Sequence, residues 1–194
     1  MAIPQPDPGL LRCAQQGDEK AFASIVGAYH APVLNYVLRV LGGDRQLAED
    51  LTQEIFLRVY QGLPGFGHNA RFTTWLFQIA KNRALDELRA RDRRGPAPID
   101  IESVPNAAIA RAPQVDVEEM DSVFRAIAAL QPDLKMALLL RDVVGLSYGE
   151  IAETLDITLA TTKWRIYKAR ELAAARLVAE GVLRLPSEVP VTAA

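Results

Sequence analysis

The segment from Ser147 to Arg170 constrains the fold most, because it encodes two short helices joined by one tight turn. Ser147 and Glu150 have capping-box spacing, in which a hydroxyl and a carboxylate each bond an otherwise free amide at a helix start. Asp156 follows where the chain must reverse, and aspartate tolerates the left-handed backbone conformation better than most residues. Thr158 can cap the next helix. The pattern predicts a helical hairpin.

The second helix of this hairpin has two different faces. Its predicted inner face consists of Leu159, Thr162, Ile166, Ala169 and Ala173. Its predicted outer face carries Thr161, Trp164, Arg165 and Lys168, with further charge from Lys163 and Arg170 and a flat apolar ring at Tyr167. In a helix-turn-helix, the second helix enters the DNA major groove. A plain solvated cationic face is the alternative interpretation.

The charge of the chain is segregated along the sequence. The 194 residues, 49% hydrophobic, suit one large or two small domains, and the formal net charge is −2. Residues 81–94 hold six bases against three acids, whereas residues 97–121 hold six acids against one base. Because local charge attracts a polyanion, the total does not exclude nucleic acid as a partner.

Several classes of protein are disfavoured by the sequence. Cys13 is the single cysteine, so no internal disulfide is expected and a cytoplasmic location is predicted. We expect no membrane insertion, since no apolar run approaches the length of a membrane span and the N-terminus lacks signal-peptide features. Two histidines and one cysteine do not suffice for a zinc site, and nucleotide-binding and hydrolase motifs are absent. The sequence predicts no cofactor, no metal and no catalysis.

The N-terminal half predicts a series of capped helices. The first runs from a cap at Asp7 to Gly17, and the second begins after Asp18, with a kink expected at Pro32. The third begins after Asp44 and buries Ala48, Leu51, Ile55, Phe56 and Val59. Its outer side carries Asp50, Gln53, Glu54 and Leu57, which form either a docking patch or an ordinary solvated face.

A loop at residues 66–71 precedes a fourth helix, which begins near Thr73. This helix combines aromatic residues such as Trp75 and Phe77 with Asn82 and a basic C-terminal end. Aromatic rings beside cations are suited to stacking on unpaired bases and following their backbone. Core packing is the competing explanation for Trp75 and Leu76.

Four segments follow from these patterns. Residues 1–94 form a first helical domain, and residues 95–116 are an acidic, proline-containing, flexible linker. Residues 117–181 form a second helical domain that contains the hairpin, and residues 182–194 are a disordered tail. No strand alternation persists, so both domains are predicted to be all-α.

With both halves described, the sequence resembles bacterial RNA polymerase sigma factors of the extracytoplasmic function (ECF) group, in the sigma-70 family. The resemblance rests on AEDLTQEIFLRVYQGLPGF and FTTWLFQIAKNRALDELRARDRR in the first domain. In the second domain it rests on LQPDLKMALLLRDVVGLSYGEIAETLDITLATTKWRIYKARELAAARL. It implies a sigma region 2 bundle and a sigma region 4 helix-turn-helix, in that order.

The resemblance also implies roles for the candidate residues. The patch Asp50, Gln53, Glu54 and Leu57 would bind core RNA polymerase at the β′ clamp helices, with the β subunit as a further partner. The minus-10 promoter strand, with a flipped base, would be bound by Phe66, His68, Asn69, Arg71, Trp75, Phe77, Lys81, Asn82 and Arg83. The minus-35 element would be bound by Thr161, Thr162, Lys163, Trp164, Arg165 and Lys168.

Two further expectations depend on this resemblance. The chain is expected to direct promoter-specific initiation, and an anti-sigma factor is expected to hold its two domains together and mask the polymerase-binding surfaces. Some positions depart from the family pattern: Thr162 replaces an inner valine and Trp164 a small polar residue, so promoter preference does not transfer. A repressor or activator that binds duplex DNA without polymerase is the alternative function, and an enzyme is a distant third.

Overall fold

The computed structural model describes residues 3–67, 69–94 and 117–183, and every regular element in those ranges is a helix. The first module contains α1 (Pro8–Gln15), α2 (Glu19–Val40), α3 (Arg45–Gly62), a 3-10 turn (Leu63–Gly65) and α4 (Phe72–Arg94). The second contains α5 (Val117–Ala128), α6 (Pro132–Asp142), α7 (Tyr148–Leu155) and α8 (Leu159–Ala179). The all-α fold class is confirmed. The predicted linker and most of the predicted tail lie outside the described residues.

The helices begin at the caps that the sequence predicts. Asp7, Asp18 and Asp44 each accept backbone N–H bonds at the starts of α1, α2 and α3. At α7 the capping box is complete, because the Ser147 hydroxyl accepts from the Glu150 amide at 3.3 Å and the Glu150 carboxylate accepts from the Ser147 amide at 2.8 Å. These bonds satisfy amides that would otherwise lack a partner.

The long helix α2 lies at the centre of the first module. Its buried residues recur at helical spacing and comprise Ala21, Ile25, Tyr29, Val33, Tyr36, Val37 and Val40. By length and composition alone α2 is long and apolar enough to cross a membrane, which the sequence analysis did not expect of any apolar run. The packing of α2 against α1, α3 and α4 accounts for its apolar character, because a core helix needs the same residues.

The aromatic residues of α4 pack into this core. Phe77 is fully buried and meets the ring of Tyr36 edge-on, with 5.6 Å between the ring centroids. Phe66 and Phe72 are also buried, and Trp75 lies against both. The aromatic residues at the start of α4 are therefore explained by packing in the core of the first module.

The two modules share a core. Seven consecutive residues of α6, Leu134 to Leu140, are buried, which no helix on the surface of a free-standing bundle would show. One side of α6 packs with Ala169 of α8, while Met136 and Leu140 belong to the same apolar cluster as Tyr36 and Phe77. In addition α5 and α6 pack on α2, and α7 packs along α4. The modules lie in contact.

Candidate interaction surfaces

The patch on α3 (Asp50, Gln53, Glu54 and Leu57) faces outward as the sequence predicts. All four residues are exposed, and the Leu57 side chain, 57% exposed, is the most exposed of the large apolar residues in the first module. Ile55, Phe56 and Val59 on the opposite side are buried, so the patch sits on a rigid helix. A rigid helix that presents an apolar residue among acids and an amide is suited to docking another protein.

An apolar groove adjoins this patch between α2 and α3. It has a volume of about 640 Å³ and is lined by Glu19, Phe22, Ala23, Val26, Phe56, Leu57 and Tyr60. Phe22 and Tyr60 meet edge-on with 4.9 Å between ring centroids, and Tyr60 is partly exposed. Leu57 therefore belongs both to the patch and to the groove.

Arg83 holds one member of the patch in place. Its guanidinium donates to the Glu54 carboxylate at 2.5 Å and lies 3.6 Å from the Glu87 carboxylate. The hydrogen bond from Arg83 lowers the pKa of Glu54, and the same bond raises the pKa of Arg83. The Arg83 side chain is only 16% exposed. The structure thus places this predicted minus-10 residue between two carboxylates, joining α4 to α3.

The other predicted minus-10 residues fall into two groups. Phe66 and Phe77 lie in the core, and Trp75 is half-buried, so neither phenylalanine has an exposed ring to offer a base in this structure. This corrects the expectation of direct contacts from Phe66 and Phe77, because the sequence pattern alone could not exclude core packing. Asn69, Arg71 and Asn82 are exposed and Lys81 is half-buried, whereas His68 lies outside the described residues.

The cations Arg71 and Lys81 both face helix α7. Arg71 donates to the Glu150 carboxylate at 2.9 Å. Burial lowers the pKa of Lys81, while the charge of Asp156, just after α7, opposes that shift. Arg71 directly precedes α4, and Lys81 lies about two and a half turns after the first residue of α4. The hairpin therefore covers this side of α4.

The inner face of α8 matches the prediction with one exception. Ile166 and Ala169 are buried, and so is Thr162, whose hydroxyl donates to the Thr158 carbonyl at 3.1 Å. That bond satisfies the hydroxyl on the inner face and leaves Thr162 no surface for DNA, which corrects its place among the minus-35 residues. Ala173, also expected inside, is half-buried, and Leu159 is exposed in the first turn of α8.

The cations of α8 differ in their surroundings. Arg165 pairs with Asp133 at 2.7 Å, and Arg170 pairs with Asp142 at 2.6 Å, so both connect α8 to α6. Lys168 pairs with Glu171 of its own helix at 2.9 Å. Lys163 is exposed, as are Trp164 and Tyr167 at 59% and 70%; Thr161 is partly exposed. Tyr167 was not among the predicted minus-35 residues. Its position on the outer face of α8 and its flat aromatic ring are the sequence features that could have indicated it.

Comparison with known proteins shows the family of this chain. A model described as sigma-70 region 2 matches residues 25–94, and one described as sigma-70, region 4 matches residues 120–172. The chain is 37% identical over 176 residues to the ECF RNA polymerase sigma-E factor of Escherichia coli (strain K12), covering 85% of this chain and 91% of the relative. This chain belongs to the ECF sigma factors. The sigma-E factor of Haemophilus influenzae is 36% identical over 182 residues, covering 89% and 95%.

Solved structures share the fold of this ECF sigma factor. CnrH in complex with the cytosolic domain of CnrY matches with a TM-score of 0.68 at 23% identity, over 88% of this chain and 96% of that one. The sigma factor RpoE in complex with the anti-sigma factor NepR from Bartonella quintana matches with a TM-score of 0.66 at 22% identity, over 83% and 99%. The matched regions lie in the predicted order, region 2 before region 4.

Proposed function

We propose that this sigma factor divides initiation between three surfaces, with a region 2 module at residues 1–94 and a region 4 module at residues 117–181. It is a non-catalytic subunit that acts in the cytoplasm with core RNA polymerase. The α3 patch binds the β′ clamp helices, the side of α4 with Arg71, Lys81 and Asn82 binds the minus-10 strand, and α8 contacts the minus-35 element.

One observation carries the assignment of the polymerase surface. Leu57 is exposed at the centre of a polar patch, while Ile55 and Val59 on the opposite side of α3 are fully buried. An exposed apolar side chain on a rigid helix gains free energy when a partner covers it, and the acidic rim favours a cationic partner. The hydrogen bond from Arg83 keeps Glu54 fixed in that rim before the partner arrives.

The contacts of the two DNA elements follow from exposure and charge. On α8, Lys163 supplies charge for phosphate, and the rings of Trp164 and Tyr167 supply apolar area for base edges. On α4, Arg71 and Lys81 supply charge, and Asn82 can hydrogen-bond an extruded base. Phe66 and Phe77 support this surface from within the core.

The groove between α2 and α3 provides a site for an anti-sigma factor. One solved structure with this fold is of the sigma factor RpoE in complex with the anti-sigma factor NepR from Bartonella quintana. An amphipathic helix of the inhibitor would place its apolar side in the groove at Phe22 and Tyr60 and would cover Leu57 in doing so. Inhibitor and polymerase would then compete for the same leucine.

Two substitutions separate the surfaces. Leu57→Asp should abolish binding to core polymerase while duplex promoter DNA binding is retained, and Trp164→Ala should weaken duplex binding by about tenfold while polymerase affinity is retained. Leu172→Asp, at another exposed leucine, is the control for inserting an aspartate on the surface. The measurements are polymerase pull-down, duplex-binding titration and in vitro transcription over a promoter library.

The same experiment tests the alternative function. A regulator that works without polymerase would keep its activity in the Leu57→Asp variant. Unchanged polymerase affinity in that variant would remove the α3 patch from the proposal. Failure of the unsubstituted chain to support initiation at any promoter would overturn the proposal as a whole.

A further inference from the structure

The segment that precedes α1 is stiff and is fixed to the first module. Each residue from Ile3 to Pro8 is a proline or directly precedes one, which favours extended backbone conformations even in the unfolded chain. Ile3 packs on the apolar core, and the hydroxyl of Tyr29 in α2 donates to the Pro4 carbonyl at 2.6 Å. Because such a segment has few unfolded conformations, little entropy is lost when it is ordered. We call residues 3–7 the N-terminal strap.

The N-terminal strap carries the residue that caps α4. The side-chain oxygen of Gln5 accepts from the Thr73 amide at 3.4 Å, and its side-chain nitrogen donates to the Thr73 hydroxyl. An amide in the first turn of a helix has no partner within that helix. Arg71, which directly precedes α4, cannot supply one from its side chain, because a guanidinium has no hydrogen-bond acceptor. Gln5, 68 residues earlier in the sequence, therefore takes the place of a local cap.

A second glutamine holds the other end of the loop at residues 66–71. Gln15, the last residue of α1, donates to the Leu63 carbonyl at 3.2 Å and to the Phe66 carbonyl at 2.9 Å. The rings of Phe66 and Phe72 meet edge-on with 6.1 Å between their centroids, so the two ends of the loop lie close together. The two glutamines thus fix the backbone where the loop begins and just after it ends.

Within its described residues, the loop has little else to anchor it. Gly67, Asn69, Ala70 and Arg71 are all exposed, and none of them has a large apolar side chain that could reach the core. An exposed loop on a rigid scaffold takes its position from the elements that hold its ends. Both glutamines are half-buried, and both precede residue 25, where the match to sigma-70 region 2 begins.

We infer that Gln5 and Gln15 are positioning residues for promoter recognition, which orient the exposed polar groups of the loop toward a base of the minus-10 strand. A loop that is held beforehand loses less entropy when the strand binds. Hydrogen bonds to the preferred base depend on distance and angle, so a displaced loop loses recognition of that base more than of the others. This inference rests on the proposed role of Arg71 and its side of α4 in binding the minus-10 strand.

The two glutamines use different atoms, which allows a matched set of substitutions. Gln5 provides an acceptor for the Thr73 amide, so Gln5→Glu keeps the cap, and the Thr73 hydroxyl can donate to the second carboxylate oxygen. Gln5→Met removes the cap at a similar side-chain length. Gln15 provides a donor to two carbonyls, so Gln15→Met and Gln15→Glu both remove the contact, since a carboxylate cannot donate. Gln16→Glu, at an exposed neighbouring glutamine, is the control.

The test is in vitro transcription by core polymerase and the full chain over a promoter library with randomised minus-10 and minus-35 elements. Preference is the ratio of transcript from the best base to the mean of the other three. At the most selective minus-10 position, Gln5→Met, Gln15→Met and Gln15→Glu should each lower preference by about fivefold. Gln5→Glu and Gln16→Glu should change it by less than about twofold, and minus-35 preference should stay unchanged throughout. Loss of the cap should lower the melting temperature by only about 2–4 °C.

The outcomes separate this inference from the proposed function. If Gln5→Met and Gln15→Met change nothing, or lower transcription from all promoters in the same proportion, the glutamines have only a structural role and the inference is overturned. An equal loss of preference in Gln5→Glu and Gln5→Met would also overturn it. The variant Asn69→Ala/Arg71→Gln tests the loop directly. If that variant keeps wild-type activity and minus-10 preference, the proposed role of Arg71 fails together with the inference; if only that variant loses preference, the inference fails alone.

Discussion

Removal of Arg83 tests whether this residue is a structural link or a DNA contact. Arg83→Gln deletes the hydrogen bond to Glu54 and the contact with Glu87, whose side chain is 10% exposed. The Glu54 side chain is 49% exposed, so that half of the link stabilises by only about 0.5 kcal/mol. Breaking a fully buried pair costs about 3–5 kcal/mol.

Glu87 does not lose all its partners, because Arg91 lies 3.9 Å from its carboxylate. We therefore expect the loss of the Arg83–Glu87 contact to cost less than half of the free energy of breaking a fully buried pair. We expect Arg83→Gln to lower the free energy of unfolding by about 2 kcal/mol, or the melting temperature by about 4–8 °C. Urea denaturation followed by circular dichroism at pH 7 measures the change. Arg93→Gln, at an exposed arginine on the same helix, is the control, with an expected change below about 0.5 kcal/mol.

The pH dependence gives the second readout. The hydrogen bond from Arg83 lowers the pKa of Glu54 in the folded state below its ordinary value of 4.5. A lowered folded pKa contributes stability above the unfolded pKa and loses it as pH falls through the folded value. The difference between wild type and Arg83→Gln should therefore shrink as pH falls from 6 to about 3. A difference below about 0.5 kcal/mol at pH 7, or one that grows on acidification, would refute the reasoning.

Two further predictions concern single hydroxyl groups. The buried Tyr36 hydroxyl has no hydrogen-bond partner among the described residues, so Tyr36→Phe should raise the free energy of unfolding by about 1 kcal/mol, and a loss in urea denaturation would contradict this. The Thr158 hydroxyl accepts from the Thr161 amide at 3.1 Å, so Thr158→Ala should cost about 1 kcal/mol. Hydrogen exchange should then quicken in the first turn of α8, and unchanged protection there would exclude the cap as its cause.

Local signals in the sequence predicted local structure well. The caps at Asp7, Asp18 and Asp44, the capping box at Ser147 and the left-handed Asp156 need only near neighbours, so spacing along the chain was sufficient. The buried side of α3 followed from helical periodicity for the same reason. The sequence motifs also predicted the order of the two sigma regions.

The sequence did not predict contacts between residues that lie far apart along the chain. Helical periodicity places Arg165 and Arg170 on α8 but does not reveal their partners. Those partners, Asp133 and Asp142, lie about thirty residues earlier, and only the packing of α8 on α6 brings each pair together. Likewise, a single helix does not reveal that a second module covers part of α4. An aromatic ring on a basic helix can either pack in a core or stack on a base, so the sequence did not distinguish these roles for Phe77, which is buried in the core.

The buried run in α6 has a consequence for how this sigma factor is tuned. Because Met136 and Leu140 are buried in the apolar cluster that both modules share, a change in their size alters the packing between the modules without changing an exposed surface. Basal transcription can then drift up or down through residues that touch neither promoter nor polymerase.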